Sequence, residues 1–253
     1  MHQRFDLPDG WLSYERFGGG RPLLCLHGGM GLDAATLRVS AFRALGSAGC
    51  DVVIHDQRGH GASSRLPEDR YSHALWVDDA RRLTAHLGWN SHAVLGHSYG
   101  GFLALELALR HPGDLTHLIL VGTSPGPICT GPLPPVPDDT SLRAHTASLW
   151  PGFFAGPEKH WDLFGAITFS AEPFRAAFVR ELPRYDLRGR IRQLALPVLL
   201  LVGDGDPYRP SMQWLYEQLP EAELHVFKDA GHFPFLEAPG EFVRVVADFL
   251  GGT

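Results

Sequence analysis

The chain has 253 residues, 44% of them hydrophobic, enough for one large α/β domain with an insertion or two modest domains, and too apolar for a disordered chain. Its 22 basic and 28 acidic side chains leave a net charge of −6 with no long single-sign run, which argues against nucleic-acid binding. Three widely spaced cysteines (Cys25, Cys50 and Cys129) make no disulfide framework, the first ten residues hold no apolar signal segment, and the longest apolar run, Leu194 to Val202, is too short to span a bilayer. A cytoplasmic protein without membrane partners is expected, with Cys25 and Cys50 as buried, inert thiols.

In chain order, Phe5–Leu7 and Trp11–Phe17 flank Pro8-Asp9-Gly10 and predict an opening antiparallel hairpin. Pro22–Leu26 reads as a strand, Ala34–Ala48 as a helix and Asp51–His55 as a β-branched strand. Ser72 is placed to cap a helix carrying Trp76, Ala80, Leu83 and Leu87 on one face. A short strand, Ala93–Leu95, then leads into Gly96-His97-Ser98-Tyr99-Gly100-Gly101 and a helix-forming run, Phe102–Leu109. Leu115–Val121 is a further strand. The alternation stops at Gly122, residues 124–140 read as a Pro/Gly-rich loop, and eight aromatics fall between Trp150 and Phe178. It resumes after Arg190 with strand Pro197–Val202, helix Pro210–Leu219, strand Glu223–Phe227 and a last helix, about Glu241–Leu250, burying Phe242, Val245, Val246 and Phe249. Such alternation implies a mostly parallel sheet of eight strands with helices on both faces.

Gly96-x-Ser98-x-Gly100 between a strand and a helix is the pattern of a nucleophile elbow, a turn so tight that the serine takes positive φ. A serine nucleophile needs a base, and the base needs an orienting carboxylate. Two later loops, each following a strand, supply those residue types: Gly203-Asp204-Gly205-Asp206 and Asp229-Ala230-Gly231-His232. Alone, a loop aspartate is usually a turn former and a loop histidine usually solvated; the order Ser, Asp, His makes coincidence a poor explanation. Backbone N–H groups for an oxyanion are expected from Tyr99 and from the loop His27-Gly28-Gly29-Met30-Gly31, with Gly29 preferred as donor and Gly28 second. No metal-ligand spacing, Walker A or dinucleotide fingerprint is present, so neither metal nor cofactor is expected.

The pieces Leu26-His27-Gly28-Gly29, Asp56-Gln57-Arg58-Gly59-His60-Gly61-Ala62-Ser63, Gly96 to Gly101, Gly203 to Asp206 with Pro210, and Gly231-His232-Phe233 with Glu237 and Pro239 together resemble the α/β-hydrolase fold superfamily from first strand to last helix. The resemblance implies a triad of Ser98, Asp206 and His232, preferring Asp206 over Asp204 by its spacing to the glycine and proline. It also implies a core of residues 1–123 and 191–253, with residues 124–190 as a small helical cap over Ser98, and a buried supporting turn at Asp56 to Ser63. Within the superfamily the motifs look most like the proline iminopeptidase group, although Met30 replaces that group's usual proline and its usual elbow is absent. Such enzymes hold a substrate amine with cap carboxylates, for which Glu172 and Glu181 are the candidates here; a helix-start role for Glu172 competes. Trp150, Phe153, Phe154, Trp161 and Phe164 are the candidate lining of an apolar pocket. The expected activity is hydrolysis of an ester or amide through an acyl-enzyme, on a small molecule or short peptide. The alternatives are a carboxylesterase or lactonase using the same triad, and, from another class, a non-hydrolytic small-molecule receptor.

Overall fold

The structure is a computed structural model and describes residues 2–127 and 135–251. Cys129, and the middle of the loop expected over 124–140, lie outside the described residues. The strands are β1 (Gln3–Leu7), β2 (Gly10–Gly18), β3 (Arg21–Leu26), β4 (Cys50–His55), β5 (His92–His97), β6 (Leu115–Val121), β7 (Val198–Gly203) and β8 (Glu223–Phe227). The helices are α1 (Ser40–Ser47), α2 (His73–His86), α3 (Tyr99–Arg110), α4 (Asp139–Leu149), α5 (Trp161–Ala166), α6 (Ala171–Arg175), α7 (Arg209–Gln218), α8 (Pro234–Glu237) and α9 (Pro239–Gly251).

The eight strands form one sheet in the order β1-β2-β4-β3-β5-β6-β7-β8. The hairpin β1–β2 is antiparallel and β2 runs antiparallel to β4, while every pairing from β4 through β8 is parallel. β4, β5 and β7 are buried along their whole length, which explains why β-branched and leucine runs were legible without alternation. Alternate strand residues feed two cores. Leu24, Val94, Leu120 and Leu200 face α2, α3 and α7; Leu23, Leu95, Val121 and Leu201 face α1 and α9.

Two expectations are corrected. Ala34–Ala48 is not one helix: a 3-10 turn, Ala34–Leu37, capped by Asp33, ends before α1, and Val39 between them is extended. Arg38 stands at the break, its guanidinium turned inward to Glu15 (2.9 Å) and Asp56 (2.8 Å). In α9 the buried stripe is Phe242, Val246 and Leu250, at helical spacing of four, whereas Val245 and Phe249 are half-buried at its margin. Ser72 does cap α2, accepting the Leu75 N–H at 3.1 Å, with Trp76, Ala80 and Leu83 buried.

Register carries the carboxyl ends of the central strands to one edge: Leu26 pairs with Gly96, His97 with Val121, Val121 with Leu201, and Gly203 with Phe227. The loops after β3, β5, β6, β7 and β8 therefore converge. Above them lies the segment joining β6 to β7, containing α4, α5, α6, a wide π-type turn at Ala176–Glu181 and short 3-10 turns. It is tied down by backbone bonds from Ser170 N to Gly31 O (2.8 Å), Asp33 N to Thr168 O (3.1 Å) and His232 N to Phe153 O (2.7 Å).

Candidate active site

Ser98 stands between β5 and α3 with φ 53° and ψ −119°, a conformation a non-glycine residue adopts at a cost of about 1–3 kcal/mol. Three bonds hold it: Ser98 N to Val121 O (2.8 Å), Thr123 Oγ1 to Ser98 O (2.8 Å) and Gly101 N to Ser98 O (2.9 Å). Glycine at 100 is required because a Cβ there would run into the Leu26 carbonyl. Ser98 also precedes the first turn of α3, whose N–H groups have no partner within the helix and favour negative charge.

The loop after β7 brings Asp206 to the loop after β8. His232 Nδ1 lies 3.0 Å from Asp206 Oδ2, and both residues are buried. An ionised carboxylate only accepts, so Nδ1 carries the proton and Nε2 is left free to accept one. Asp206 Oδ1 accepts the Tyr208 N–H at 2.8 Å, and the Tyr208 ring stacks on the imidazole at 5.3 Å. Asp204 instead follows the sheet edge, its N–H donating to Phe227 O at 2.9 Å. Glu237 spans the loop after β8 and the overlying segment, accepting the Gly231 N–H at 2.7 Å and the Gly156 N–H at 2.9 Å.

The loop after β3 passes close to Ser98: a Cβ on Gly28 would sit 2.7 Å from Ser98 Cβ, and Gly29 has φ +57°. The Asp56–Ser63 turn supports this loop from behind. The Gly31 N–H donates to His60 Nε2 at 2.8 Å, while His60 Nδ1 faces the Gln57 and Arg58 carbonyls at 3.1 and 3.2 Å. His27 Nε2 accepts the Gln57 N–H at 3.1 Å. Both rings are neutral, because burial lowers His27 to about 4 and His60 to about 3. Asp56 accepts from Ala34 N and Ala62 N, 3.1 and 3.0 Å.

Ser98, Tyr99, Gly28, Gly29 and His232 border one cavity of about 220 Å³. Its other walls are mostly apolar: Met30, Leu32 and Phe102 from the sheet side, Trp150, Phe153, Phe174 and Phe178 from the overlying segment, and Tyr208 and Phe233 beside His232, with Thr36, His97, His145 and Thr146 as the polar members. Among the described residues no lysine, arginine, aspartate or glutamate lines it. Residues 128–134, Ile-Cys-Thr-Gly-Pro-Leu-Pro, carry no charged side chain either.

Of the pocket residues named from sequence, Trp150 and Phe153 line the cavity, and Phe154, Trp161, Phe164 and Glu172 do not. Phe154 and Phe164 are buried in the packing around Trp150, and Trp161 is 49% exposed. Glu172 faces outward to Arg65 at 3.5 Å. Glu181 accepts the His73 N–H at 3.0 Å. The residues that sequence reasoning missed include His97, Thr36, His145 and Tyr208. The His97 ring packs on His232 at 4.7 Å and its Nε2 donates to the His232 carbonyl at 2.9 Å, fixing the loop after β8 to β5. Burial keeps His97 well below the usual histidine range, so it stays neutral beside His232. Its place next to Ser98 was the only available signal; for Thr36 and His145 there was none. Among the described residues, no group of three or more His, Cys, Asp or Glu side chains is placed to hold a metal ion, and no helix is long and apolar enough to cross a membrane.

Comparison with known proteins bears on this geometry. The model of the Alpha/beta hydrolase family matches residues 23–245. The chain is 32% identical to 2-hydroxymuconate semialdehyde hydrolase of Pseudomonas putida, over 92% of this chain and 88% of that protein. It is 31% identical to pimeloyl-[acyl-carrier protein] methyl ester esterase of Chromobacterium violaceum (94% and 98% covered) and 24% to proline iminopeptidase of Heyndrickxia coagulans (97% and 96%). The solved enol-lactonase of Burkholderia xenovorans LB400 superposes with TM-score 0.84 at 22% identity, covering 98% of this chain and all of that one.

Proposed function

The chain belongs to the alpha/beta hydrolase family, and from that premise we propose that it is a serine hydrolase acting on esters or lactones of small, uncharged, apolar acyl groups. Ser98 is the nucleophile, His232 the base and Asp206 the group that orients it, with the Tyr99 and Gly29 N–H groups stabilising the oxyanion. Residues 124–190 act as the cap that supplies the outer wall of the acyl pocket, over a core of residues 1–123 and 191–253.

His232 Nε2 takes the Ser98 proton as Oγ attacks the carbonyl carbon, and Asp206 stabilises the imidazolium that results. Negative charge on the former carbonyl oxygen falls between the loop after β3 and the start of α3. His232 then returns the proton to the leaving oxygen, and water repeats the sequence on the acyl-enzyme. The His97 bond holds the base against Ser98, and the neutral state of His97 leaves His232⁺ without a second positive ring in contact.

The observation that carries the choice of substrate is that no acidic side chain is among the described residues lining the cavity beside Ser98. An aminopeptidase must hold a protonated amine, and an ammonium without a carboxylate partner is costly to desolvate. Glu172 and Glu181, the two carboxylates considered for that role, are engaged with Arg65 and the His73 N–H outside the cavity lining. The size agrees with a small acyl group: a cavity of about 150 Å³ accepts benzene, and this one is about 220 Å³. A panel of p-nitrophenyl acetate, butyrate and benzoate, a simple lactone and proline arylamide tests the reading. Turnover of the esters or the lactone with little on the arylamide is expected; preference for proline arylamide would overturn it. A wild-type Ser98 that resists a fluorophosphonate would support a non-hydrolytic receptor instead.

A further inference from the structure

Behind the elbow lies a second array of carboxylate, imidazole and hydroxyl. Glu106 Oε1 is 2.6 Å from His73 Nδ1, and His73 Nε2 is 2.6 Å from the Tyr99 hydroxyl. All three residues are buried, at 6%, 3% and 2% exposure. In the neutral ring Nδ1–H donates to the carboxylate, and Nε2 then accepts the Tyr99 O–H. Arg110, one turn along α3, pairs with the same carboxylate. The His73 ring also meets Tyr99 and Tyr185 edge-on, at 5.3 and 5.5 Å, and the backbone N–H of His73 donates to Glu181. It thus joins α2, α3 and the returning end of the segment over the site.

The place of this array gives it a consequence beyond satisfying buried groups. Tyr99 follows the strained Ser98 directly and is itself followed by Gly100 and Gly101, which bring no side chain to pin the first turn of α3. Strained backbone persists only where its surroundings over-determine it. Tyr99 is the single side-chain anchor between Ser98 and Phe102, and its hydroxyl is held by His73. Its N–H is the group assigned to the oxyanion in the hydrolase reading, on which this inference rests.

We infer that His73 and Glu106 are positioning residues that, through the Tyr99 hydroxyl, hold the Tyr99 N–H in line with the oxyanion formed at Ser98. A donor displaced by part of an ångström loses much of its transition-state contribution and little of its ground-state one.

The test is steady-state kinetics on p-nitrophenyl butyrate with Tyr99→Phe, His73→Gln, His73→Leu and Glu106→Gln, each alongside binding of an alkyl boronic acid, which forms a tetrahedral adduct with the serine. Tyr99→Phe and His73→Leu are expected to lower kcat by about tenfold to a hundredfold and weaken the boronic acid in proportion, with KM within about twofold. His73→Gln, which keeps a partner for the Tyr99 hydroxyl, should fall between wild type and His73→Leu. A Tyr99→Phe/His73→Gln double variant should be no worse than Tyr99→Phe alone. A merely structural network would lower Tm in Tyr99→Phe while leaving kcat and boronic-acid affinity of the folded enzyme at wild-type values, and that result overturns the inference. Fluorophosphonate labelling of wild-type Ser98 keeps the two readings apart. Labelling with an unaffected Tyr99→Phe sinks the positioning role alone, and no labelling sinks both.

Discussion

His232 and His73 each have a buried carboxylate at Nδ1, Asp206 and Glu106, and differ in what faces Nε2. For His73 it is the Tyr99 hydroxyl, enclosed among three helical elements. For His232 it is the cavity, with Ser98 on its border. A carboxylate–imidazole pair is therefore not in itself a chemical site. It becomes a candidate where a sheet edge gathers loops that leave one nitrogen open to a cavity beside a serine held in a strained turn. Enclosed, the same pair fixes geometry.

Removing the nucleophile tests the open array most severely: Ser98→Ala should lower kcat by about 10⁶ on p-nitrophenyl butyrate, with the fold retained by circular dichroism. Near wild-type turnover would end the comparison. Next, Asp206→Asn should lower kcat by about 10⁴, because the wrong tautomer of His232 would be favoured, while Asp204→Asn should stay within a few-fold. The reverse ranking would move the orienting role to Asp204.

The aromatic segment sharpens the contrast between positions that look alike in sequence. Trp150→Ala should cost about 3–5 kcal/mol in urea unfolding, since the indole is fully buried and donates to Lys159 O at 2.7 Å. Trp161→Ala, at a half-exposed site, should stay within about 0.5 kcal/mol.

A pH-dependent effect concerns the neutral imidazoles under the loop after β3. His27 and His60 titrate near 4 and 3 when folded, against 6.5 for a free ring, so between these values the unfolded chain binds more protons. Stability should fall as pH drops below about 6.5, by up to about 1.4 kcal/mol per pH unit for each ring, down to the folded values. Urea unfolding at pH 7, 6 and 5 measures this, and His60→Gln should flatten the slope. A His60→Gln slope equal to wild type would remove His60 from the account.

The parts legible in sequence were those with short-range causes. Strands β4, β6 and β7 declare themselves because central parallel strands must be apolar on both faces. The Ser72 cap and the glycines around Ser98 answer demands of their own backbone. The aromatic run announced apolar packing without saying which rings face inward, because its short helices turn direction within a few residues. Phe174 and Phe178 line the cavity where Phe154 and Phe164 sit behind its wall. Glu172 was legible as a helix-start acid, and it is in the first turn of α6; only its outward direction told against a substrate role.

By itself, then, the sequence determined the family, the parallel sheet and the three residues proposed as nucleophile, acid and base, since each rests on a local pattern repeated at the end of a strand. Tertiary structure alone decided that the described lining of the cavity carries no lysine, arginine, aspartate or glutamate, and that His97, His73 and Glu106 stand behind the open array. Those depend on side-chain direction and on contacts between residues as far apart as His97 and His232, for which register across the sheet, and not spacing along the chain, sets the distance.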